Sequence, residues 1–313
     1  MIRKLTRKLI GMEVSSKGPS VGVAVFGKHP GWADHMDELG LDTPGLVELR
    51  QALYKEAIGR NIDLGTWEKL ADEDRLERFE HEFVYRSESG SLIAGRLWSS
   101  TDGRGRAKYP MIVCVEASPA YRSWLMFEAL PELARAQERY AGAGTAEEVR
   151  SLHASLADRV VRSAEGATPG EDPDQATALR ELSESGIGGG HESILRVVYA
   201  AERDLGLLLG RIPSGTQGSV STRAGSIRVP RGGGGLAEGL WRWSVVFERV
   251  TPRRLGLMVI GSGGRDWVDV VVGRAGADAW ECVRTNSSAL PIVSEIPYTI
   301  DPSVRDRLRG ILP

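Results

Sequence analysis

Residues 109–117, Tyr-Pro-Met-Ile-Val-Cys-Val-Glu-Ala, are the stretch that most limits what this chain can fold into. Almost every position is apolar, so neither face of an extended segment here could be left in water. The run therefore predicts a strand that is buried on both faces and central in a sheet. Pro110 fits the start of such a strand, where a missing backbone donor is tolerated. A second apolar run, 21–27, predicts another buried strand that ends at Gly27.

The remaining patterns predict the fold class. Alternating apolar residues around a Ser/Gly turn predict a hairpin of residues 82–86 and 92–98. Helical periodicity indicates helices over 46–60, 145–163 and 191–209. Pro131 is expected to break or kink a further helical stretch, 121–141.

Four late apolar runs are interpreted as strands: 240–248, 255–260, 267–272 and 280–285. Strict alternation of strands and helices is not found along the chain. We therefore expect a mixed α/β (α+β) fold, with a largely antiparallel central sheet and helices packed on its faces.

Composition places the chain among ordinary globular proteins. Of 313 residues, 41% are hydrophobic and 26% are charged, and the net charge is −2. This balance predicts no nucleic-acid partner. No run approaches the roughly 18 apolar residues of a membrane span, so stable membrane insertion is not expected. Cys114 and Cys282 are far apart in apolar runs, which favours buried, inert thiols in a reducing compartment.

The domain organisation is predicted from composition along the chain. Residues 1–20 are expected to form a basic N-terminal tail or short helix, and 21–313 one α/β domain. Two lobes, 21–165 and 191–313, are the alternative. Residues 212–239 are rich in Gly, Ser and Arg, which predicts a mobile insertion. This insertion is interpreted either as plain disorder or as a docking arm that orders on a partner.

A cluster of titratable side chains follows the first strand: Lys28, His29, Asp34, His35 and Asp37. Imidazole and carboxylate groups suit zinc, iron or manganese, so a metal-dependent hydrolase is one hypothesis. However, the spacing matches no known pattern such as HExxH. The ring of His29, in a Pro-Gly turn, is expected to be solvated, and a polar loop is the preferred interpretation.

Other catalytic patterns are not found in the sequence. There is no G-x-S-x-G nucleophile elbow and no GxxxxGK[ST] phosphate loop. The Gly-rich turn at 261–264 has Asp266 where the dinucleotide-binding pattern has its third glycine. We therefore predict no catalytic residue, no metal ligand, no cofactor and no small-molecule substrate.

Two segments carry a family resemblance. The first, Ala-Val-Phe-Gly-Lys-His-Pro-Gly-Trp-Ala-Asp, ends at Asp34; the second, Gly95 to Val113, contains Ser-x-Asp-Gly-x-Gly-Arg-x-x-Tyr-Pro. Together they resemble the type VI secretion-associated TagF/ImpM family, of which this chain would be a divergent member. A weaker similarity lies at Leu-Trp-Arg-Trp, which includes Trp241 and Trp243.

The resemblance implies a cytoplasmic accessory protein that is not an enzyme. Some members of that family repress secretion post-translationally by binding a forkhead-associated regulatory protein. The expected partner is therefore such a regulator or another secretion-system component. A structural subunit of a larger assembly is a further alternative.

The charged residues of the two segments favour a structural ion pair, Asp34 or Asp102 with Lys28 or Arg106, that fixes one loop against the other. Trp241 and Trp243 are expected to share one face of a strand, and exposed tryptophan would indicate an interface. The predicted structural or interaction residues are Lys28, Pro30, Asp34, Ser100, Asp102, Gly105, Arg106, Pro110, Trp241 and Trp243.

Overall fold

A computed structural model of the chain describes residues 20–185, 190–207 and 224–309. Within these ranges the strands form one seven-stranded sheet in the order β1-β4-β3-β2-β6-β7-β5. Every neighbouring pair is antiparallel. The strands are β1 (Gly22–Gly27), β2 (Glu80–Arg86), β3 (Leu92–Ser99), β4 (Pro110–Ala117), β5 (Gly225–Pro230), β6 (Leu257–Gly261) and β7 (Trp267–Val272). The predicted fold class is confirmed.

Helices lie on both faces of the sheet. The α-helices are α1 (Pro44–Leu49), α2 (Arg60–Leu64), α3 (Arg122–Trp124), α4 (Leu130–Gly142), α5 (Ala146–Glu165), α6 (Gln175–Glu184), α7 (Gly190–Leu205), α8 (Leu236–Glu248) and α9 (Pro302–Arg309). A π-helical stretch, Arg50–Gly59, joins α1 to α2, and another, Leu125–Ala129, joins α3 to α4. The molecule is thus a helix–sheet–helix sandwich.

Alternation along β1 shows how the two layers are formed. Val23 and Val25 belong to the core on the side of α3–α8, whereas Ala24 and Phe26 belong to the core under α1 and α2. Because successive side chains of a strand point to opposite faces, a run that is apolar throughout supplies both cores.

The strand predicted over 109–117 is confirmed as β4, which starts at Pro110 and is buried at every position. It lies between β1 and β3, second from one edge, and not at the centre of the sheet. The central strand is β2, because β6, β7 and β5 extend the sheet beyond it. The predicted hairpin is also confirmed, with Arg86 of β2 opposite Leu92 of β3.

Two predicted strands are wrong. Residues 240–248 belong to the helix α8, in which Leu240, Trp243 and Phe247 are buried at helical spacing. Glu238 helps to start this helix by accepting the Gly235 N–H at 2.6 Å. Residues 280–285 lie mostly in a 3₁₀ segment, Ala277–Arg284, and only Thr285 is extended. A short apolar run does not distinguish a buried helix from a strand.

Of the break or kink expected at Pro131, the break is wrong. The chain stays helical from Arg122 to Gly142. Pro131 lies in the first turn of α4, two residues after the π-helical stretch Leu125–Ala129 ends. Wider π-helical turns change which carbonyl faces the proline, so the missing N–H is accommodated without a break.

The predicted mobile insertion is wrong over its described part. Residues 225–230 form β5, and Leu236 begins α8. Residues 212–223 of that insertion, and 1–19 of the predicted N-terminal tail, lie outside the described residues. β2 of the proposed first lobe pairs with β6 of the second, so one sheet runs through both halves.

Backbone groups cover parts of both sheet edges. On the outer side of β1, Val25 and Leu39 exchange two backbone hydrogen bonds of 2.9 Å each. On the outer side of β5, the Val293 N–H donates to the Arg228 carbonyl at 2.9 Å. These contacts occupy groups that an edge strand otherwise leaves unpaired.

A buried ion pair fixes β5 to the sheet. The Arg228 guanidinium binds both carboxylate oxygens of Asp269 on β7, at 2.8 and 3.0 Å. It also donates to the carbonyls of Cys282 and Leu290, at 2.9 and 3.1 Å. Burial raises the pKa of Asp269, and the adjacent guanidinium opposes that rise. One arginine therefore connects β5, β7 and the segments that follow β7.

Replacing Gly95 with alanine should destabilise the fold. A Cβ at this position of β3 would lie 2.3 Å from Phe83 Cζ and 2.8 Å from Cys114 Cβ. Overpacking of this kind costs about 1–3 kcal/mol of unfolding free energy, measurable by denaturant titration. The control is Gly142→Ala at the end of α4, where a Cβ would meet nothing within 4 Å. Equal stability of the two variants would contradict the packing argument.

Candidate functional site

The turn that follows β1 begins with a constrained glycine. Gly27 has a φ of +123°, and a Cβ there would lie 2.3 Å from the Pro110 carbonyl oxygen of β4. Only glycine fits this close approach. The chain then turns around Pro30, with the Trp32 N–H donating to the His29 carbonyl at 3.1 Å. This local geometry directs the Lys28 side chain beneath the turn.

Lys28 is the centre of the site. Its Nζ lies 2.5 Å from Asp102 Oδ2 and 3.2 Å from Asp34 Oδ1. The side chains of Lys28 and Asp102 are 5% and 0% exposed, whereas that of Asp34 is 62% exposed. The predicted structural ion pair is therefore present, and its buried partner is Asp102.

Asp102 is saturated with donors. Its Oδ1 accepts the backbone N–H groups of Arg104 and Arg106, both at 3.0 Å. Its Oδ2 also accepts Arg106 Nε at 2.8 Å. Burial acts to raise the pKa of Asp102, but the hydrogen bonds from Lys28 and from the two backbone N–H groups outweigh it and hold the pKa far below its ordinary value. The carboxylate is ionised at neutral pH.

The two family-like segments meet at this ion pair. The Gly103 N–H donates to the Trp32 carbonyl at 2.7 Å. Arg106 Nη2 lies 3.0 Å from Asp34 Oδ1 and 3.2 Å from the Ala33 carbonyl. Gly105, with a φ of +77°, closes the second turn by donating to the Asp102 carbonyl at 2.9 Å. Ion pairs and backbone hydrogen bonds between the two turns thus hold them together.

His29 does not have the role that the metal hypothesis requires. Its ring is buried, not solvated as expected. Nδ1 accepts the Gly31 N–H at 3.0 Å, so Nε2 carries the proton and donates to the Tyr140 carbonyl at 2.9 Å. Both nitrogens are occupied by the fold.

The other members of the titratable cluster point to separate partners. Asp37 binds Arg150 at 2.7 Å, and His35 Nδ1 lies 2.8 Å from the Tyr54 hydroxyl. In the described part of the chain, no group of three or more His, Cys, Asp or Glu residues could hold a metal ion. His29, Asp34, His35 and Asp37 therefore do not form one site.

Three aromatic rings, those of His35, Tyr54 and Tyr109, lie near Lys28, and no pattern in the sequence indicated that they would meet. The rings of His35 and Tyr109 have centroids 5.0 Å apart, and those of Tyr54 and Tyr109 5.5 Å apart. Lys28 Nζ also lies 5.7 Å from the Tyr109 centroid. Burial, followed by the charge of Lys28, lowers the pKa of His35 and favours its neutral form. The aromatic rings extend the wall of the site toward the π-helical stretch Arg50–Gly59.

The remaining predicted residues have varied positions. The Pro110 carbonyl accepts the Lys28 N–H at 3.2 Å, and Ser100 lies half-buried on the segment between β3 and β4. Trp243 is fully buried, and its Nε1 donates to the Pro230 carbonyl at 2.7 Å. Trp241 is half-buried and packs against the exposed Phe127. The expectation of a shared strand face is wrong, because both tryptophans lie on a helix.

No family model and no curated protein matches this chain. Among the helices that the structure describes, none has the length and apolar character needed to cross a membrane.

Asp102→Asn should lower the melting temperature at pH 7 more than Asp34→Asn does. The Asp102 substitution leaves the buried Lys28 without its buried ionised partner. Asp34 is largely in water, so its substitution removes a weaker interaction. The pKa of Asp102 is lowered in the folded state, so its stabilising contribution is present above its ordinary value of 3.8 and is lost as the pH falls below it.

The gap between wild type and Asp102→Asn should therefore narrow in melting curves recorded from pH 5 downward. A melting temperature unchanged by Asp102→Asn would refute a structural role for the pair. So would a larger loss in Asp34→Asn.

Proposed function

We propose that this protein is a non-enzymatic, cytoplasmic accessory or regulatory protein of a type VI secretion-like system, and that it acts by binding another protein. The observation that supports this proposal is the meeting of the two family-like segments in one ion-pair network around Lys28 and Asp102. A buried charged network of this kind is well suited to fixing the shape of a surface.

The surface in question is the turn of residues 103–108. All six residues are exposed, while Asp102 directly beneath them is buried and bonded to the backbone of Arg104 and Arg106. A turn held in this way loses little conformational entropy when a partner binds, which favours affinity.

The charge of this turn predicts the character of the partner surface. Arg106 is neutralised by Asp34 and Asp102, and Lys108 lies 3.4 Å from Glu68. The exposed Arg104 side chain makes no ion pair or hydrogen bond with any residue that the structure describes. Arg104 is therefore available for a carboxylate, and the complementary partner surface is acidic.

The family resemblance supplies the class of partner. We propose a forkhead-associated regulatory protein or another secretion-system component, with post-translational repression as the mode of action. The resemblance rests on residues that this chain shares with the family: Gly27, Lys28, Pro30, Asp34, Ser100, Asp102, Gly105, Arg106 and Pro110.

Arg104→Glu should abolish or strongly weaken capture of the partner without changing the melting temperature. The substitution reverses the charge of a side chain that holds nothing in the fold. The measurement is co-purification of forkhead-associated or secretion-system proteins from native cells, with tagged bait at saturating amount.

Arg162→Glu on α5 is the matched control, because Arg162 is also exposed and its side chain makes no ion pair or hydrogen bond with any described residue. It should capture the same partner as the wild type. Recovery of only unrelated proteins by the wild type would count against the proposed function. Equal capture by Arg104→Glu would show that another surface binds the partner.

A further inference from the structure

A cleft lies directly beside the turn of residues 103–108. Ala107 and Lys108 of that turn line one side of it, and side chains from α2, from the segment 67–77 and from Arg284 line most of the rest. Its volume is about 440 Å³. Pockets that bind small ligands have volumes of roughly 300–1,000 Å³, so the cleft is large enough to take one long side chain of another protein.

The turn alone is too small to be an interface. It has six residues, whereas a stable protein–protein interface contains about 20–30 residues on each side. The strongest contacts of such interfaces come from side chains that fill pockets near the centre. The cleft continues from the turn without a break, because Ala107 and Lys108 belong to both. It therefore extends the exposed surface of the turn and adds a concave part to it.

Arg284 presents a free donor group in this cleft. Its Cζ lies 4.7 Å from the centroid of the Phe79 ring. Its Nε and Nη2 donate to the carbonyls of Leu76 and Glu77, at 2.6 and 3.0 Å. Its Nη1 makes no hydrogen bond with any described residue, and this atom is not buried. The guanidinium is thus fixed in position while one donor nitrogen stays accessible, an arrangement that favours binding of a carboxylate.

The charges around Arg284 also favour an anion. No carboxylate of the described residues lies within ion-pair distance of its guanidinium. Burial lowers the pKa of Arg284, and the charge of Arg75 lowers it further, an effect larger than the opposite effect of Glu68. Since Arg75 lines the same cleft, the two arginines repel each other there. A carboxylate that binds in the cleft relieves this repulsion.

The other charged groups of the cleft form exposed ion pairs. Lys108 and Glu68, whose side chains are 66% and 49% exposed, lie 3.4 Å apart. Arg75 binds Asp72, whose side chain is 93% exposed. Exposed pairs of this kind contribute little, so Lys108 can bind a second carboxylate at small cost. The remaining carboxylate of the wall, that of Glu77, belongs to an exposed residue, and water weakens its repulsion of an anion.

We propose that this cleft receives an acidic side chain of the protein partner. The carboxylate binds Arg284 Nη1 and Lys108, and the aliphatic carbons lie against Ile62 and Ala107. This assignment rests on the proposed protein-binding function, and it adds what the partner must carry, namely a glutamate that protrudes from its surface.

Isothermal titration of the full chain with a peptide of four glutamates, blocked at both ends, tests the cleft without the partner. The comparison is the same peptide made of four glutamines, at the same ionic strength. We expect saturable binding of the glutamate peptide and no binding of the glutamine peptide. Only the glutamate peptide carries the charge that is complementary to Arg284 and Lys108.

Three variants locate the binding. Ala107→Trp should weaken it by about tenfold or more, the loss expected when an anchoring pocket is filled. Lys108→Gln should weaken it about threefold, as expected for one exposed charge. Lys69→Gln is the control, because Lys69 is also exposed but does not line the cleft, and it should bind like the wild type. All three should keep the wild-type melting temperature. Arg284 is not varied, because it also holds two backbone carbonyls.

Three results would overturn the cleft assignment. One is a glutamate peptide that does not bind, or that binds no better than the glutamine peptide. Another is full affinity in Ala107→Trp, which would place the binding elsewhere. The last is an equal loss in Lys108→Gln and Lys69→Gln, which would indicate general charge attraction.

Failure of the cleft and failure of the proposed function can be told apart. The titrations need no partner, so a negative result there leaves the capture of secretion-system proteins by the wild type as it was. Normal peptide binding together with capture of only unrelated proteins would count against the proposed function and would leave the cleft as a site for acidic segments.

Discussion

The buried contact between Lys28 and Asp102 is the constraint on which the candidate site depends. Lys28 follows β1, and Asp102 lies on the segment between β3 and β4. The contact therefore lies where β1 and β3 end and β4 begins, at one end of three adjacent strands. Two buried charges stabilise a fold only when their remaining donors and acceptors are satisfied. Asp102 meets this condition through Arg106 and two backbone N–H groups, and its neighbours take their positions from it.

Local patterns explain how much of the fold could be predicted. The apolar run of β4 and the Ser/Gly turn between β2 and β3 carry their structure within a few residues. The stretch around Trp241 and Trp243 does not show its structure locally. Because α8 is buried along much of its length, its sequence resembles that of a buried strand. Its helical state follows from packing against α6 and β6, which no local pattern contains.

The site could be predicted only in part, for a related reason. Opposite charges in two turns indicated that Lys28 or Arg106 would meet Asp34 or Asp102, but not which carboxylate is buried. His29 shows the limit more clearly, since its partner, the Tyr140 carbonyl, is 111 residues away.

The covered sheet edges have a consequence for recognition. Leu39 beside β1 and Val293 beside β5 occupy backbone groups to which a foreign strand would otherwise add. Binding by strand addition at either position would first require the native segment there to detach. Recognition through side chains that stand out from the turns and helices avoids this cost. Such recognition can diverge quickly between relatives, because surface side chains change without cost to the sheet.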